Sequence, residues 1–206
     1  MGPDEIEALF TRGDGSYRFA RWRRPIVPVV FGVADKSLPA FKGAIEAIVA
    51  LAGHRMAETD AEMGANLMIF AFRDWEELLA VGKLEGLVPE LAELVPRLVA
   101  ADANQYRLFR LEKDGAIRAA FVFLRMDRSL AEVPAEVLAL SQAVQGFLLW
   151  ADPAFAEVPP LARFEGKVVL RPEIAGLIRA GYDPVLPDVA RDASHALRLA
   201  ARLKGE

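Results

Sequence analysis

Two segments carry apolar side chains at nearly every position, and they constrain the fold more than any other feature of the chain. They are Asn66–Arg73 and Ala116–Met126. A strand that is apolar on both of its faces is typical of the interior of a sheet. Asp114 and Gly115 lie between the second segment and another apolar run, Gln105–Lys113, which indicates a hairpin. The sequence therefore predicts a mixed sheet with a central hairpin.

Helical periodicity occupies much of the remaining chain. A short β-branched run, Ile26–Val33, predicts one more strand, and Pro28 within it indicates a sheet edge or a bulge because proline cannot donate a ladder hydrogen bond. This order of elements favours an α+β fold packed by helices over a doubly wound nucleotide-binding fold. Helices are expected over Leu38–Ala52, Pro89–Ala101, Pro134–Trp150 and Pro172–Ala180, with a further one capped by Asp74 and a last one capped by Asp188 and running towards Lys204.

The chain of 206 residues is long enough for one domain with a sizeable core. Residues 1–20 are polar and contain Gly13 and Gly15, so we expect an N-terminal arm there and a single α+β domain over 21–206. Residues 152 to 167 are rich in proline and predicted to be a loop, and the part from about 152 to 206 is expected to be otherwise helical.

Composition excludes several kinds of site. The chain has no cysteine, which rules out a disulfide framework, a thiol nucleophile and a cysteine-based zinc site. Its two histidines, His54 and His195, are too few for a three-histidine centre, and a structural role is predicted for both. Phosphate-binding glycine loops and the G-x-S-x-G motif are absent. We therefore expect no metal and no cofactor.

Charge and hydropathy bear on partners and location. The 25 Lys and Arg against 29 Asp and Glu give a net charge of −4, which argues against nucleic-acid binding. The longest uncharged run, Val137–Ala151, is shorter than the roughly 20 apolar residues of a membrane span. Acidic residues lie near the N-terminus and no apolar leader is evident, so a cytoplasmic location is expected, or a periplasmic one if a leader has been removed.

Arginines and aromatic residues alternate over Tyr17–Arg24. Such a run is compatible with an anionic or small-molecule ligand, and Arg21, Arg23 and Arg24 are the candidate anion-binding residues. Such runs are more often arginine stems that pack beside aromatic rings at the start of a strand.

The predicted helix Pro134–Trp150 carries a group of neutral polar residues. Ser141, Gln142 and Gln145 are spaced i, i+1 and i+4, so they project from one side of the helix. An apolar stripe predicted to be buried lies beside them. Its members are Val133, Val137, Leu140, Val144, Phe147 and Leu148. The polar group is either solvated or part of a hydrogen-bond network, and neither alternative requires catalysis.

Four stretches carry a resemblance to a known family. They are Arg21–Ile26, Ala65–Leu67, Ser141–Asp152 and Arg179–Leu186. Together they resemble an uncharacterised family of bacterial, mostly exported domains with a zincin-like, metallopeptidase-like helix. The resemblance implies a zincin-like α+β fold and places the family's functional motif on the predicted helix.

The chain departs from that motif at the positions of the family's Glu-Glu pair. The family's helix typically has a Glu-Glu pair, two variable residues, a Gln and a closing Asn-Asp. The pair falls on Ser141 and Gln142, the Gln on Gln145 and the Asp on Asp152, with Ala151 in place of the Asn. A neutral amide cannot act as a general base, a role that typically contributes about 10²–10⁴-fold in rate. The resemblance therefore implies a degenerate member without catalytic carboxylates.

Three hypotheses follow. The first is a non-catalytic zincin-like domain that binds a protein or peptide, with its oligomeric state left open. The second is a hydrolase with a non-standard acid and base set drawn from His54, Glu136 and Asp152, and the third is an anion or small-molecule binder that uses Arg18–Arg24. The candidate ligand-binding residues of the first hypothesis are Ser141, Gln142, Gln145 and Asp152.

Overall fold

The two apolar segments form the inner strands of a four-stranded mixed sheet in the computed structural model, which describes residues 1–203. The sheet has the strand order β2-β3-β5-β4, in which the β2–β3 and β3–β5 pairs are parallel and the β4–β5 pair is antiparallel. The strands are β1 (Phe19–Ala20), β2 (Pro28–Phe31), β3 (Leu67–Phe72), β4 (Gln105–Leu111), β5 (Ile117–Arg125), β6 (Leu161–Phe164), β7 (Lys167–Leu170) and β8 (Val189–Ala190).

Helices lie on both faces of this sheet. They are α1 (Pro3–Phe10), α2 (Leu38–Leu51), α3 (Leu84–Leu87), α4 (Leu91–Ala100), α5 (Arg128–Ala131), α6 (Ala135–Gln145), α7 (Pro172–Gly181) and α8 (Ser194–Leu203), with two 3₁₀ helices at Asp35–Ser37 and Trp75–Ala80. The predicted mixed α+β class with a mixed sheet and several helices is confirmed. None of the helices within residues 1–203 is both long and apolar enough to cross a membrane.

Alternation along β3 divides the apolar side chains between two cores. Leu67 and Ile69 join the larger core, which includes residues of α2, α6 and α7. Phe70 and Phe72 join the second core, which includes residues of α4 and the 3₁₀ helix Trp75–Ala80. Burial of each such side chain contributes roughly 1.5–3 kcal/mol, so a strand buried on both faces needs apolar residues at every position.

The predicted hairpin is present, but it is not central. β5 is an inner strand, as its apolar sequence predicts, whereas β4 forms the edge of the sheet. The reason lies in the side chains, because β4 carries Gln105, Arg107 and Arg110 and is only partly buried along its whole length. At the opposite edge lies β2, as Pro28 predicts.

The first 20 residues, expected to form an arm, are folded into the larger core. Ile6, Phe10 and Phe19 have no exposed surface. α1 packs against α8, and β1 pairs with β8 in an antiparallel two-stranded sheet. The polar composition and the glycines of this segment led to the wrong expectation, because a few apolar residues are enough to anchor it.

The predicted helix Pro134–Trp150 ends earlier, at Gln145, with Gly146 as its C-cap. The four apolar residues that follow are buried but not helical. The backbone N–H of Leu149 donates to the carbonyl of Ala20 (2.9 Å), so this segment is held by the N-terminal part of the chain. The predicted buried stripe is also displaced, since Val137 and Leu140 are only partly buried.

Two further expectations for the C-terminal part are wrong. The predicted loop over residues 152 to 167 contains β6 and the start of β7, which form an antiparallel hairpin. Asp188 does not cap the last helix, which begins at Ser194, because its carboxylate accepts hydrogen bonds from Arg21 and Arg23 instead. Lys204 lies outside the described residues.

Candidate functional site

Gln142 lies at the centre of a polar network between α6 and β4. Its side chain is almost fully buried, with 1% of its surface exposed. Its Nε2 donates to Oε1 of Gln105 (2.8 Å), and its Oε1 accepts from Nη1 of Arg107 (3.1 Å). Of the two alternatives for the polar group of this helix, the structure shows the hydrogen-bond network.

A cleft of ≈ 430 Å³, here called the β4 cleft, opens beside this network. Gln145 lines it and donates from Nε2 to Oγ of Ser141 (2.9 Å). The structure thus brings the four predicted ligand-binding residues to one region, with Gln145 and Asp152 in the cleft and Gln142 and Ser141 bonded to residues that line it. The cleft's polar lining is Arg12, Gln105, Arg107, Gln145 and Asp152, and its aromatic walls are Tyr106, Phe109, Trp150 and Phe155.

Arg107 is the cation that defines the chemistry of the β4 cleft. Among residues 1–203, no carboxylate forms an ion pair with it, and the bond to Gln142 is its one hydrogen bond. Burial lowers the pKa of Arg107 to about 10, and the charge of Asp152 opposes this change only in part. Charged groups taken out of water are normally paired. A partly buried guanidinium that lines a cleft without a counter-ion favours an anionic ligand.

Arg12 adds a second cation from the loop that follows α1. Its Nη2 donates to the carbonyl of Leu149 (3.3 Å), and its Nη1 lies 3.8 Å from Oδ1 of Asp152. The Asp152 side chain is fully exposed, so water and salt weaken this attraction. Burial lowers the pKa of Arg12, as it does for Arg107. The cleft therefore holds two guanidinium groups against one solvated carboxylate.

The outer edge of β4, several of whose residues line the same cleft, carries unpaired backbone groups. The N–H of Arg125 donates to the carbonyl of Asn104 (2.8 Å), and hydrogen-bonded pairs alternate along an antiparallel ladder. The N–H and C=O groups of Gln105, Arg107 and Phe109 therefore point away from β5. In the described part of the chain, no strand pairs with this edge. An open strand edge and an unpaired cation thus meet at one place.

The arginines of the predicted anion-binding segment are occupied inside the protein. Arg21 is buried and donates from Nε to Asp188 (2.7 Å) and from Nη1 and Nη2 to backbone carbonyls. Arg23 pairs with Asp188 and Asp114. The partners of Arg24 are Asp60, Glu62 and Glu112. These contacts give the segment a structural role and leave few donors for an external anion.

The residues of the hydrolase hypothesis do not share a cavity. Glu136 lines a separate cavity beside the β6–β7 hairpin, and Asp152 lines the β4 cleft. His54 donates from Nε2 to the carbonyl of Arg24 (2.8 Å) and lies against the ring of Tyr182. Burial lowers the pKa of His54, which favours its neutral form. No cluster of His, Asp and Glu within residues 1–203 could hold a metal ion.

Sequence reasoning missed Arg12, Gln105 and Arg107. The alternation of Gln105, Arg107 and Phe109 along one predicted strand places the three side chains on one face, which is a signal available from the sequence. Arg12 carries no comparable signal, since it reaches the cleft only through the fold of the N-terminal segment.

We expect Arg107→Gln to raise the free energy of unfolding by up to about 2 kcal/mol at pH 7. Desolvation disfavours the charged form by roughly 3 kcal/mol, as the lowered pKa indicates, and the lost charged hydrogen bond to Gln142 offsets about 1.5–3 kcal/mol of the gain. Arg110→Gln on the same strand is the matched control, because Arg110 pairs with both oxygens of Glu90. Urea unfolding measures both variants, and destabilisation by Arg107→Gln would contradict an uncompensated charge in the cleft.

The three comparisons with known proteins, by family models, curated proteins and solved structures, found no match to this chain.

Proposed function

We propose that this protein is a non-catalytic binding module that takes an extended peptide bearing a carboxylate. One observation carries the proposal. The guanidinium of Arg107 has no carboxylate partner among residues 1–203 and lines a cleft beside the open edge of β4. A peptide carboxylate supplies the missing negative charge, and a peptide backbone supplies partners for the open strand edge.

The binding mode is strand addition. An extended peptide that pairs with β4 meets the outward N–H and C=O groups of Gln105, Arg107 and Phe109. Alternate side chains of the peptide then face the cleft, where Arg107 and Arg12 lie. Hydrogen bonds to charged groups contribute about 1.5–3 kcal/mol each, so the carboxylate gives the complex its specificity.

The neutral amide of Gln142 beside the β4 cleft supports a binding role over a hydrolytic one. The resemblance places the Glu-Glu pair of the zincin-like family on Ser141 and Gln142, and both ends of the Gln142 amide are engaged by Gln105 and Arg107. We further propose that the chain is a degenerate relative of that zincin-like family. The support for this relationship is the order of the four matching stretches from Arg21 to Leu186.

A displayed library of random seven-residue peptides with free C-termini tests the proposal. The protein is expected to enrich peptides with a carboxylate and alternating β-branched residues, and Arg107→Gln is expected to abolish that enrichment. Arg73→Gln is the control, since Arg73 is exposed and forms no ion pair with another described residue. Failure of the wild-type protein to enrich any peptide, or equal enrichment by Arg107→Gln, would overturn the proposal.

A pair of variants at one position separates strand addition from side-chain binding. Gln105→Ala removes the side chain and keeps the outward N–H, whereas Gln105→Pro also removes that N–H and leaves the pairing with β5 intact. Enriched peptides are expected to bind Gln105→Pro about 2–10-fold more weakly than Gln105→Ala, which corresponds to one hydrogen bond. Equal affinities for the two variants would exclude pairing at this edge.

A further inference from the structure

The second face of the sheet is covered by helices only in part. α4 and the 3₁₀ helix Trp75–Ala80 pack over β3 and β5, but beside β2 a cavity of ≈ 560 Å³ remains open. We call it the β2 cavity. Its floor is formed by Val29, Met68 and Phe70, and its walls by Leu78, Leu84 and Leu87. It lies on the face of the sheet opposite α6.

The interior of the β2 cavity is apolar, and its charges lie at the rim. Glu77 is hydrogen-bonded within the protein, because its Oε1 accepts from the backbone N–H groups of Arg73 and Asp74 (3.0 Å each). Lys83 is exposed, and no carboxylate of residues 1–203 pairs with it. Its backbone has φ of 70°, a left-handed conformation that non-glycine residues rarely adopt. The rim therefore presents an unpaired ammonium group held by a short, tightly turned segment.

Large apolar side chains surround the opening. Phe31 has 48% and Val81 40% of its surface exposed, and both line the cavity. Exposed apolar surface of this kind loses contact with water when an apolar ligand occupies the cavity, which favours binding. The volume lies within the range of roughly 300–1,000 Å³ that is typical of small-molecule sites.

We propose that the β2 cavity binds an anionic amphiphile, a long-chain carboxylic acid, with its chain on the sheet and its carboxylate at Lys83. Aliphatic, methionine and phenylalanine side chains fit a flexible hydrocarbon chain. Glu77 is hydrogen-bonded to backbone N–H groups, so the charged lining group without a bonded partner among residues 1–203 is Lys83, which favours an acid over an alcohol or an amine. This site is independent of the β4 cleft and of peptide binding.

Titration with dodecanoate and with dodecanol, each below its aggregation concentration, tests the site by calorimetry. The wild-type protein is expected to bind one dodecanoate per chain. Lys83→Asn is expected to weaken dodecanoate binding roughly threefold and to leave dodecanol binding unchanged, because an exposed ion pair contributes little and asparagine tolerates a left-handed backbone. Lys113→Asn, at an exposed lysine in the β4–β5 turn, is the control and is expected to bind as wild type does.

A cavity-filling variant gives a second, larger readout. Val29→Trp places an indole on the cavity floor and is expected to weaken binding of both probes about tenfold or more, with the fold verified by circular dichroism. Its binding of enriched peptides is expected to stay unchanged, which separates this site from the β4 cleft. Absence of saturable dodecanoate binding, unchanged binding by Val29→Trp, or a dimer in sedimentation that dodecanoate does not dissociate would overturn the proposal.

Discussion

Arg21→Met is expected to lower the free energy of unfolding by about 3–5 kcal/mol. Arg21 is buried, and its guanidinium binds the Asp188 carboxylate and the carbonyls of Gly181, Asp183 and Leu186. Methionine retains the apolar stem but leaves these acceptors without their donor. Leaving buried polar groups without partners lowers the free energy of unfolding far more than the loss of an exposed ion pair does.

Arg23→Met is the matched control, because Arg23 pairs with the same carboxylate of Asp188 from a half-exposed position. Arg23→Met is expected to lower the free energy of unfolding by less than about 1 kcal/mol. Urea unfolding gives both free energies, and amide exchange over residues 181 to 188 localises the effect. Equal costs for the two variants would show that the charge of Asp188, and not the set of bonded carbonyls, determines the contribution of Arg21.

Acid is expected to destabilise the protein through His195. This histidine has 3% of its surface exposed, and its Nδ1 lies 3.0 Å from the hydroxyl of Tyr17, while Nε2 has no hydrogen-bond partner. Burial lowers its pKa from 6.5 to about 4, and the charges of Arg198 and Arg21 act in the same direction. The folded state therefore favours the neutral ring. The neutral His195 ring contributes about 3 kcal/mol to the free energy of unfolding. This contribution is complete above pH 6.5 and is lost as the pH falls towards 4.

His195→Phe isolates this contribution, because phenylalanine does not titrate and fits a site beside Phe19. The difference in unfolding free energy between wild type and variant is expected to fall by about 3 kcal/mol from pH 7.5 to pH 4. Carboxylates and His54, whose pKa burial also lowers, titrate in both proteins and cancel from the difference. A difference that does not change with pH would contradict the neutral, buried state of His195.

The sheet was predictable where the pattern is local. β3 and β5 carry apolar residues on both faces, and no partner strand is needed to infer their inner position. The end of α6 was not predictable in the same way, because the buried residues after Gly146 are as apolar as the helix itself. Their non-helical course depends on bonds to distant segments such as that from Leu149 to Ala20.

Of the candidate site, the residues of helix α6 could be predicted from the sequence. Gln142 and Gln145 share a helix face, so their spacing alone places them together. Whether an arginine is free or paired depends on carboxylates that the fold brings from elsewhere. Arg21 and Arg23 meet Asp188 in this way, whereas no carboxylate pairs with Arg107 among residues 1–203.

The packing of α1 on α8, and of β1 on β8, has a consequence for biosynthesis. Phe10 and Phe19 leave the ribosome about 170 residues before β8 and α8, which complete the packing around them. A nascent chain therefore carries these aromatic rings incompletely covered until residues 189 to 203 have been synthesised, and in that interval they are open to chaperones and to aggregation. Completion of the larger core must therefore await the synthesis of α8.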